Sequence, residues 1–428
     1  MNDRRRAQLV VIGNGMAGMR TVEELLKRAP DRFDITVIGA EPEPNYNRIL
    51  LSSVLAGDKT RDDIIINSWS WYGKRGIRLM TGIAAVAIDR AACRVILADG
   101  STVPYDTILL ATGSKPLAPP IPGIGLPNVR AFRDMADTEA MIAAARSGRR
   151  AVVIGGGLLG LEAAWGLKRR GMSVALVHLM PTLMERQLDI AAGELLRRDL
   201  DARGIVFFTN SQTEEIAGSE RAEAVVLADG RQLAADLVVL AIGIRPNVDL
   251  ARAAKLDVNR GILVGDDMRC SDPDIFAVGE CIEHNGQVVG LVAPIWDQAK
   301  VCGAQLAGDG AAVYVPPPVF TSLKITGIDV FSAGTLAAAD DADEELTLHD
   351  AKLGLYKKLI VRGDRLVGAV LYGSVSDGPW YVELMRDKAD VSAIRDRLLF
   401  GRAFAEQSEA ALVPEAVAAD MVPQWQAA

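Results

Sequence analysis

VVIGNGMAGMRTVEELL, residues 10–26, returns as VVIGGGLLGLEAAWGLK at residues 152–168, and the reading of this repeat decides the fold. Each copy runs from a short apolar strand through a glycine turn into an amphipathic helix. A second apolar strand follows in both, FDITVIG from Phe33 and SVALVHL from Ser173. Strand, helix and strand in that order make a βαβ unit, which requires a parallel sheet. Farther along, VILADGSTVPYDTILLATG from Val95 reappears as VVLADGRQLAADLVVLAIG from Val225, so Gly100 and Gly113 recur as Gly230 and Gly243. Asp99-Gly100 and Asp229-Gly230 are turn-forming pairs between strands.

The expected architecture is α/β: two Rossmann-like dinucleotide-binding domains followed by a small α+β domain. The first domain is expected to be discontinuous, residues 7–115 with 245–316, and the second to span 116–244. The proline-rich KPLAPPIPGIGLP at 115–127 reads as the strap between the copies, and VPPPV as a further boundary. Short strands such as KLIVRGDRLVGAVLYG and a helical end then mark an α+β domain over 317–405, with an alanine-rich loose tail over 406–428.

Bulk composition narrows the chemistry. The chain has 428 residues, half of them apolar, 40 glycines and 5% aromatics, which suits glycine-turned α/β domains better than a β-sandwich. A net charge of −8 argues against nucleic acid as the main partner. No apolar run reaches the roughly 20 residues that span a bilayer. The basic cluster in MNDRRRAQLVVIGNGMAG precedes a strand rather than a cleavable apolar segment. Cys93, Cys270, Cys281 and Cys302 are scattered without metal-ligand or disulfide spacing, so no metal site is expected and a cytoplasmic location is the simplest one. His284, His349 and Cys281 read as structural.

Gly13, Gly15 and Gly18 form one GxGxxG fingerprint and Gly155, Gly157 and Gly160 the other, each between a strand and a helix. There, glycines let backbone amides at a helix N-terminus approach a pyrophosphate, so two dinucleotides are expected. Met16 and Ala17, and Leu158 and Leu159, fill the fingerprints.

With Ala111-Thr112-Gly113, Ala241-x-Gly243 and IFAVGE, the chain resembles the flavoprotein reductases that bind two dinucleotides. A closer resemblance, from about residue 7 to 400, is to the flavin-containing N-terminal part of assimilatory nitrite reductase large subunits and to nitrate reductase electron-transfer subunits. NGMAG, YNRILLSSVLAG, GGGLLGLEAA, TSLKITGIDVFSAG and SDPDIFAVGECIEHNGQVVGLVAP carry it. The resemblance implies FAD on the first copy and NADH, or NADPH, on the second. It implies that Gly13, Gly15 and Gly18 hold the FAD pyrophosphate, that Glu41 takes the adenosine ribose hydroxyls and that Arg48 partners the phosphates or adenine. Gly279-Glu280 would face the ribityl chain, with Glu280 for the commoner Asp. Pro294, Trp296 and Gln298 would open a helix whose N-terminal dipole faces the flavin pyrimidine.

In such relatives an acid at Glu162 lies beside nicotinamide and flavin, often paired with a lysine at the position of Ser53. That lysine is missing, so a hydrogen bond from Ser52 or Ser53 to Glu162 is expected instead. His178 stands where an acid would select the 2′-hydroxyl of NAD; neither an acid nor an arginine cluster is there, Arg186 lying some way on, and NADH is favoured over NADPH. A histidine at a strand end is otherwise a surface group. The acidic run Asp340 to Glu345 reads as a solvated loop, with steering of a basic partner as the alternative.

The implied function is hydride transfer from NADH to flavin N5 and onward passage of electrons to a separate protein. That protein would be a nitrate reductase catalytic subunit, a rubredoxin or ferredoxin-like carrier, or a haem protein. Alternatives are an NADH oxidase, peroxidase or disulfide reductase of the same fold, which need a flavin-proximal cysteine, or a flavin-binding redox-sensing module. YNRILLSSVL, residues 46–55, contains no such cysteine.

Overall fold

The computed structural model describes residues 5–316, 320–325 and 327–406, with 322–325 described by their backbone. Of the expected tail, residues 406–428, all but Glu406 lies outside the described residues, as does part of TSLKITG and of VPPPV.

Both repeats fold into five-stranded parallel sheets of the same layout. In the first, the order across the sheet is Ile275–Ala277, Thr107–Leu110, Ala7–Ile12, Phe33–Ile38 and Arg78–Met80. In the second it is Val129–Ala131, Leu237–Leu240, Arg150–Ile154, Ser173–Val177 and Ile205–Phe208. The central strands are apolar along almost their whole length because both faces are covered, as in parallel sheets generally. Leu9, Val11, Leu109 and Leu110 are fully buried in one sheet, and Val153, Leu176, Val238 and Val239 in the other. The first sheet takes its edge strand, Ile275–Ala277, from chain that follows the second sheet, whereas the second takes Val129–Ala131 from chain that precedes it. Two short crossing strands, Ser114–Pro116 and Ile244–Pro246, pair antiparallel and connect the halves.

Each half carries a three-stranded antiparallel ribbon, Ala85–Asp89 with Arg94–Leu97 and Thr102–Pro104, and Thr213–Ala217 with Ala224–Leu227 and Gln232–Ala234. The expected Asp-Gly turns join strands of these ribbons, with Gly100 at φ +84° and Gly230 at φ +86°.

Among the described residues, these sheets belong to one compact unit, 5–185 with 196–316; a second contains 186–195 and the described residues from 320 on. The second is an antiparallel sheet ordered Phe320–Ile325, Ile328–Gly334, Arg365–Tyr372, Leu355–Arg362 and Asp343–Asp350, with the helix Gly378–Arg386. Phe331, Leu359, Val361, Leu371 and Tyr381 form its core. The acidic run is not simply a solvated loop. Its second half begins the edge strand Asp343–Asp350, where Asp343 takes a bidentate pair from Arg362 at 2.7 and 2.8 Å, Glu345 pairs with Lys358 at 2.8 Å and Glu344 with Arg395. No helix among the described residues is long and apolar enough to cross a membrane, and no group of three or more His, Cys, Asp or Glu side chains among them is placed to hold a metal.

Candidate functional site

The two glycine fingerprints are geometric copies, position by position. Gly13 (φ +116°) and Gly155 (φ +120°) lie so close to the ends of neighbouring strands that a Cβ would sit 2.1 Å from the Ala111 carbonyl oxygen and 2.2 Å from that of Ala241. A Cβ on Gly18 would sit 2.8 Å from the Gly13 carbonyl oxygen, and one on Gly160 1.9 Å from that of Gly155. Folding alone demands glycine at these four positions. Gly15 and Gly157 differ. Their backbones are extended, at φ −84° and −81°, and a Cβ at either would meet no protein atom within 4 Å. Neither strain nor packing accounts for these middle glycines, whereas a ligand lying against the backbone would.

The helices that begin there, Met16–Arg28 and Leu158–Arg169, have no side-chain cap and no acid in the first turn. Their first amides, with the positive end of the helix dipole, are left for an anion. Gly279 (φ +92°) closes on the first turn, a Cβ there lying 2.8 Å from that of Ala17, and its amide donates to Gln298 Oε1 at 3.0 Å. The pyrophosphate of a dinucleotide therefore fits each turn.

Around the first turn, Glu41 is shared by the Tyr46 hydroxyl, at 2.5 Å, and Arg48. Arg48 also donates to the Arg133 carbonyl at 2.6 Å. Thr112 donates to the Asn247 carbonyl at 2.7 Å, and the Asn247 amide to the Gly113 carbonyl at 2.8 Å. Gly243, at the matching place in the second copy, has φ +118° and accepts from the Leu117 amide at 3.0 Å. Glu280 accepts from Ser114 at 2.7 Å and pairs with Arg133. Arg133 and Ser114 were not singled out by sequence reasoning: they precede Glu280 by 147 and 166 residues, and only the fold brings them together. The helix expected from about Pro294 starts at Val292, which puts the buried Pro294 inside its first turn, where a missing amide costs nothing. Trp296 is half-buried, with the Arg20 guanidinium 5.8 Å from its ring centroid.

YNRILLSSVL supplies the link between the halves. Leu51–Ala56 is a short helix that packs on Leu158–Arg169, and a Cβ on Gly166 would lie 2.7 Å from Leu55, so glycine sets the close approach. Arg170 donates to the Leu55 and Val54 carbonyls. This packing places Ser52 against Glu162. Burial raises the Glu162 carboxyl from 4.5 to about 7, partly opposed by the Ser52 hydrogen bond. The Ser52 hydroxyl also reaches the Ile49 carbonyl at 3.2 Å. Cys281 and Cys302 are buried, and burial raises both thiols.

His178 follows its strand directly and is buried, contrary to a surface reading. Nδ1 accepts from the Gly156 amide at 3.0 Å and Nε2 lies 3.1 Å from Glu185. Glu185 escaped sequence reasoning because a loop of seven residues separates it from the strand end.

Residues 7–305 match the family model for pyridine nucleotide-disulphide oxidoreductases, and 318–389 match the rubredoxin NAD+ reductase C-terminal domain. The chain is 47% identical over 387 residues to the nitrite reductase [NAD(P)H] of Bacillus subtilis, covering 90% of this chain and 48% of that protein. It is 42% identical to the assimilatory nitrate reductase electron transfer subunit of the same organism, covering 92% of this chain and 51% of that one. The chain thus spans about half the length of these relatives. A chain in the crystal structure of the covalent putidaredoxin reductase-putidaredoxin complex superposes with a TM-score of 0.82 at 26% identity, covering 93% of this chain and 96% of that one.

Proposed function

The chain belongs to the pyridine nucleotide-disulphide oxidoreductase family, and we propose that within it the chain is an FAD-dependent NAD(P)H oxidoreductase that passes electrons to a separate redox protein. The observation that carries this reading is the pair of middle glycines, Gly15 and Gly157, which the protein's own packing does not require. FAD, when bound, supplies the conversion of a two-electron hydride donor into a source of single electrons. In this reading, residues 7–115 with 245–316 hold the FAD, 116–244 hold the nicotinamide dinucleotide, and 317–405 form the side that meets the acceptor.

The residues align and tune. The amides of Met16, Ala17 and Gly18 hold the FAD pyrophosphate, and those of Leu158, Leu159 and Gly160 the nicotinamide dinucleotide. The Glu41–Arg48 pair orients the adenosine end, Glu280 with Arg133 and Ser114 the ribityl chain, and the uncapped start of Val292–Ala307 favours negative charge on the reduced ring. Glu162, half-buried and held by Ser52, lies at the meeting of the halves with a carboxyl that burial raises to about 7, so that it gains and loses its proton around neutral pH.

The acceptor side is read from what the segment 46–55 lacks. A disulfide reductase or thiol-based oxidase needs a reactive cysteine beside the flavin, and Leu51, Ser52 and Ser53 supply none. Electrons therefore leave through a docked partner, of which a nitrate reductase catalytic subunit, a rubredoxin or ferredoxin, or a haem protein are the candidates. Anaerobic mixing of the FAD-loaded protein with NADH and then with a candidate acceptor tests this. The flavin absorbance is expected to bleach within about a second, on ordinary turnover scales, and to return on adding the acceptor. Rapid oxidation of NADH by oxygen that no carrier protein accelerates would favour the oxidase alternative, and binding without bleaching would favour the sensing one.

A further inference from the structure

The loop between the second strand of the nicotinamide half and residue 186 folds back onto the glycine turn. Both polar backbone groups of Gly156 are engaged by it: the amide donates to His178 Nδ1 at 3.0 Å, and the carbonyl accepts from the Met184 amide at 3.1 Å. Leu183 and Met184 are buried beneath the turn, with Met184 held at φ +53°. A Cβ on Gly156 would lie 2.6 Å from the imidazole, so glycine here serves the histidine's seat. On the other side, the strand-end carbonyl of His178 accepts from the Ser211 amide at 3.0 Å and its amide donates to the Phe208 carbonyl at 2.8 Å. The ring has one position.

Because Nδ1 accepts a backbone N–H, the neutral ring carries its proton on Nε2 and donates it to Glu185 at 3.1 Å. The histidine therefore acts as a rigid spacer that fixes a carboxylate beside the glycine turn. The Glu185 side chain keeps 30% of its exposure, so it is open to a ligand, while that of His178 keeps 10%.

We propose that Glu185, positioned by His178, replaces the missing strand-end acid and makes the second site selective for a dinucleotide with a free adenosine 2′-hydroxyl, rejecting one with a 2′-phosphate. This rests on reading the second glycine turn as the nicotinamide dinucleotide site. A carboxylate accepts from a ribose diol and repels a phosphate placed where the 2′-hydroxyl would be. Because the carboxylate is partly exposed, its repulsion of the 2′-phosphate is screened by solvent, and the preference it gives is moderate rather than absolute.

The test is calorimetric binding of NAD+ and of NADP+ to the FAD-loaded wild type and to Glu185→Gln, with the flavin absorbance and melting temperature confirming that the variant is folded. The wild type is expected to bind NAD+ at least about ten-fold more tightly than NADP+. Glu185→Gln, which keeps the shape and removes the charge, should weaken NAD+ by about ten-fold, the loss of one charged hydrogen bond, and bring the two affinities to within a few-fold. Placing an acid at the strand end of that variant, His178→Asp with Glu185→Gln, should restore the preference for NAD+. An unchanged affinity ratio in Glu185→Gln, or a wild type that prefers NADP+, overturns the proposal while leaving the oxidoreductase reading intact. A wild type that binds neither nucleotide overturns both.

Discussion

Single residues separate what folding requires from what a ligand requires. Gly13→Ala forces a side chain against the Ala111 carbonyl at positive φ and is expected to cost about 2 kcal/mol or more. Gly15→Ala meets open space, so the melting temperature of the apoprotein should shift by the equivalent of less than about 1 kcal/mol while FAD affinity falls at least ten-fold; a fluorescence titration with FAD checks this. Unchanged FAD affinity would return Gly15 to a packing role. Glu162 gives a second discriminating substitution. Its carboxyl is raised by burial from 4.5 to about 7, so at pH below 4.5 the folded and unfolded forms are both protonated and the group contributes nothing. As pH rises from 4.5 to 7 the unfolded chain loses its proton first, and the folded state is penalised in full above 7. Glu162→Gln should therefore leave apoprotein stability unchanged near pH 4 and raise it at pH 8 by on the order of 1–2 kcal/mol, less than the full shift implies because the side chain is part-exposed. Urea denaturation at the two pH values reads the difference. Ser52→Ala, which removes the contact that holds the carboxyl down, should move the inflection in the pH profile of flavin reduction upward.

At the scale of elements, the first fingerprint helix is locked to the helix Val292–Ala307, where Gly303 admits Glu24 and Leu25. Glu24, only 5% exposed, is penalised by burial but bound by Arg28 at 2.7 Å, Lys27 at 2.9 Å and Arg20 at 2.9 Å, and the net effect lowers its carboxyl to about 2. The stabilisation is complete above the ordinary value of 4.5 and is lost as pH falls towards 2. Glu24→Gln should cost about 1–2 kcal/mol at pH 7, since its basic partners are partly solvated, and should cost little at pH 2; denaturation at both values measures it. The strand and helix identities in both halves were legible in the sequence, because apolar runs bounded by glycine turns have one consistent reading. The start of the helix at Val292 was not, because Pro294 looks like a first helical residue when it is an interior member of the first turn. The strand at 343 was also missed, since acids are poor strand formers in isolation and only Arg362, Lys358 and Arg395 make them acceptable there.

Across the whole molecule, the two compact units have separate cores, one around Leu9, Val11 and Leu109, the other around Leu359, Leu371 and Tyr381. Binding to one unit stabilises that unit by mass action. Scanning calorimetry is therefore expected to show a transition of the unit that carries the two parallel sheets moving upward with added FAD; a melting profile that FAD leaves unchanged would contradict binding there. The sequence by itself determined the doubled βαβ plan, the two dinucleotide turns and the absence of a cysteine in the segment 46–55, because each is written in contiguous residues whose local conformation answers to glycine and apolar periodicity. Only the tertiary structure decided which glycines are free of packing, that Ser52 rather than Ser53 meets Glu162, that Arg133 meets Glu280, and that Glu185 meets His178 beside the second glycine turn. Those facts depend on distances between residues far apart in the chain or across a folded loop, and such distances are set by how helices and turns close on one another, at contacts such as Gly166 on Leu55 and Gly156 on His178.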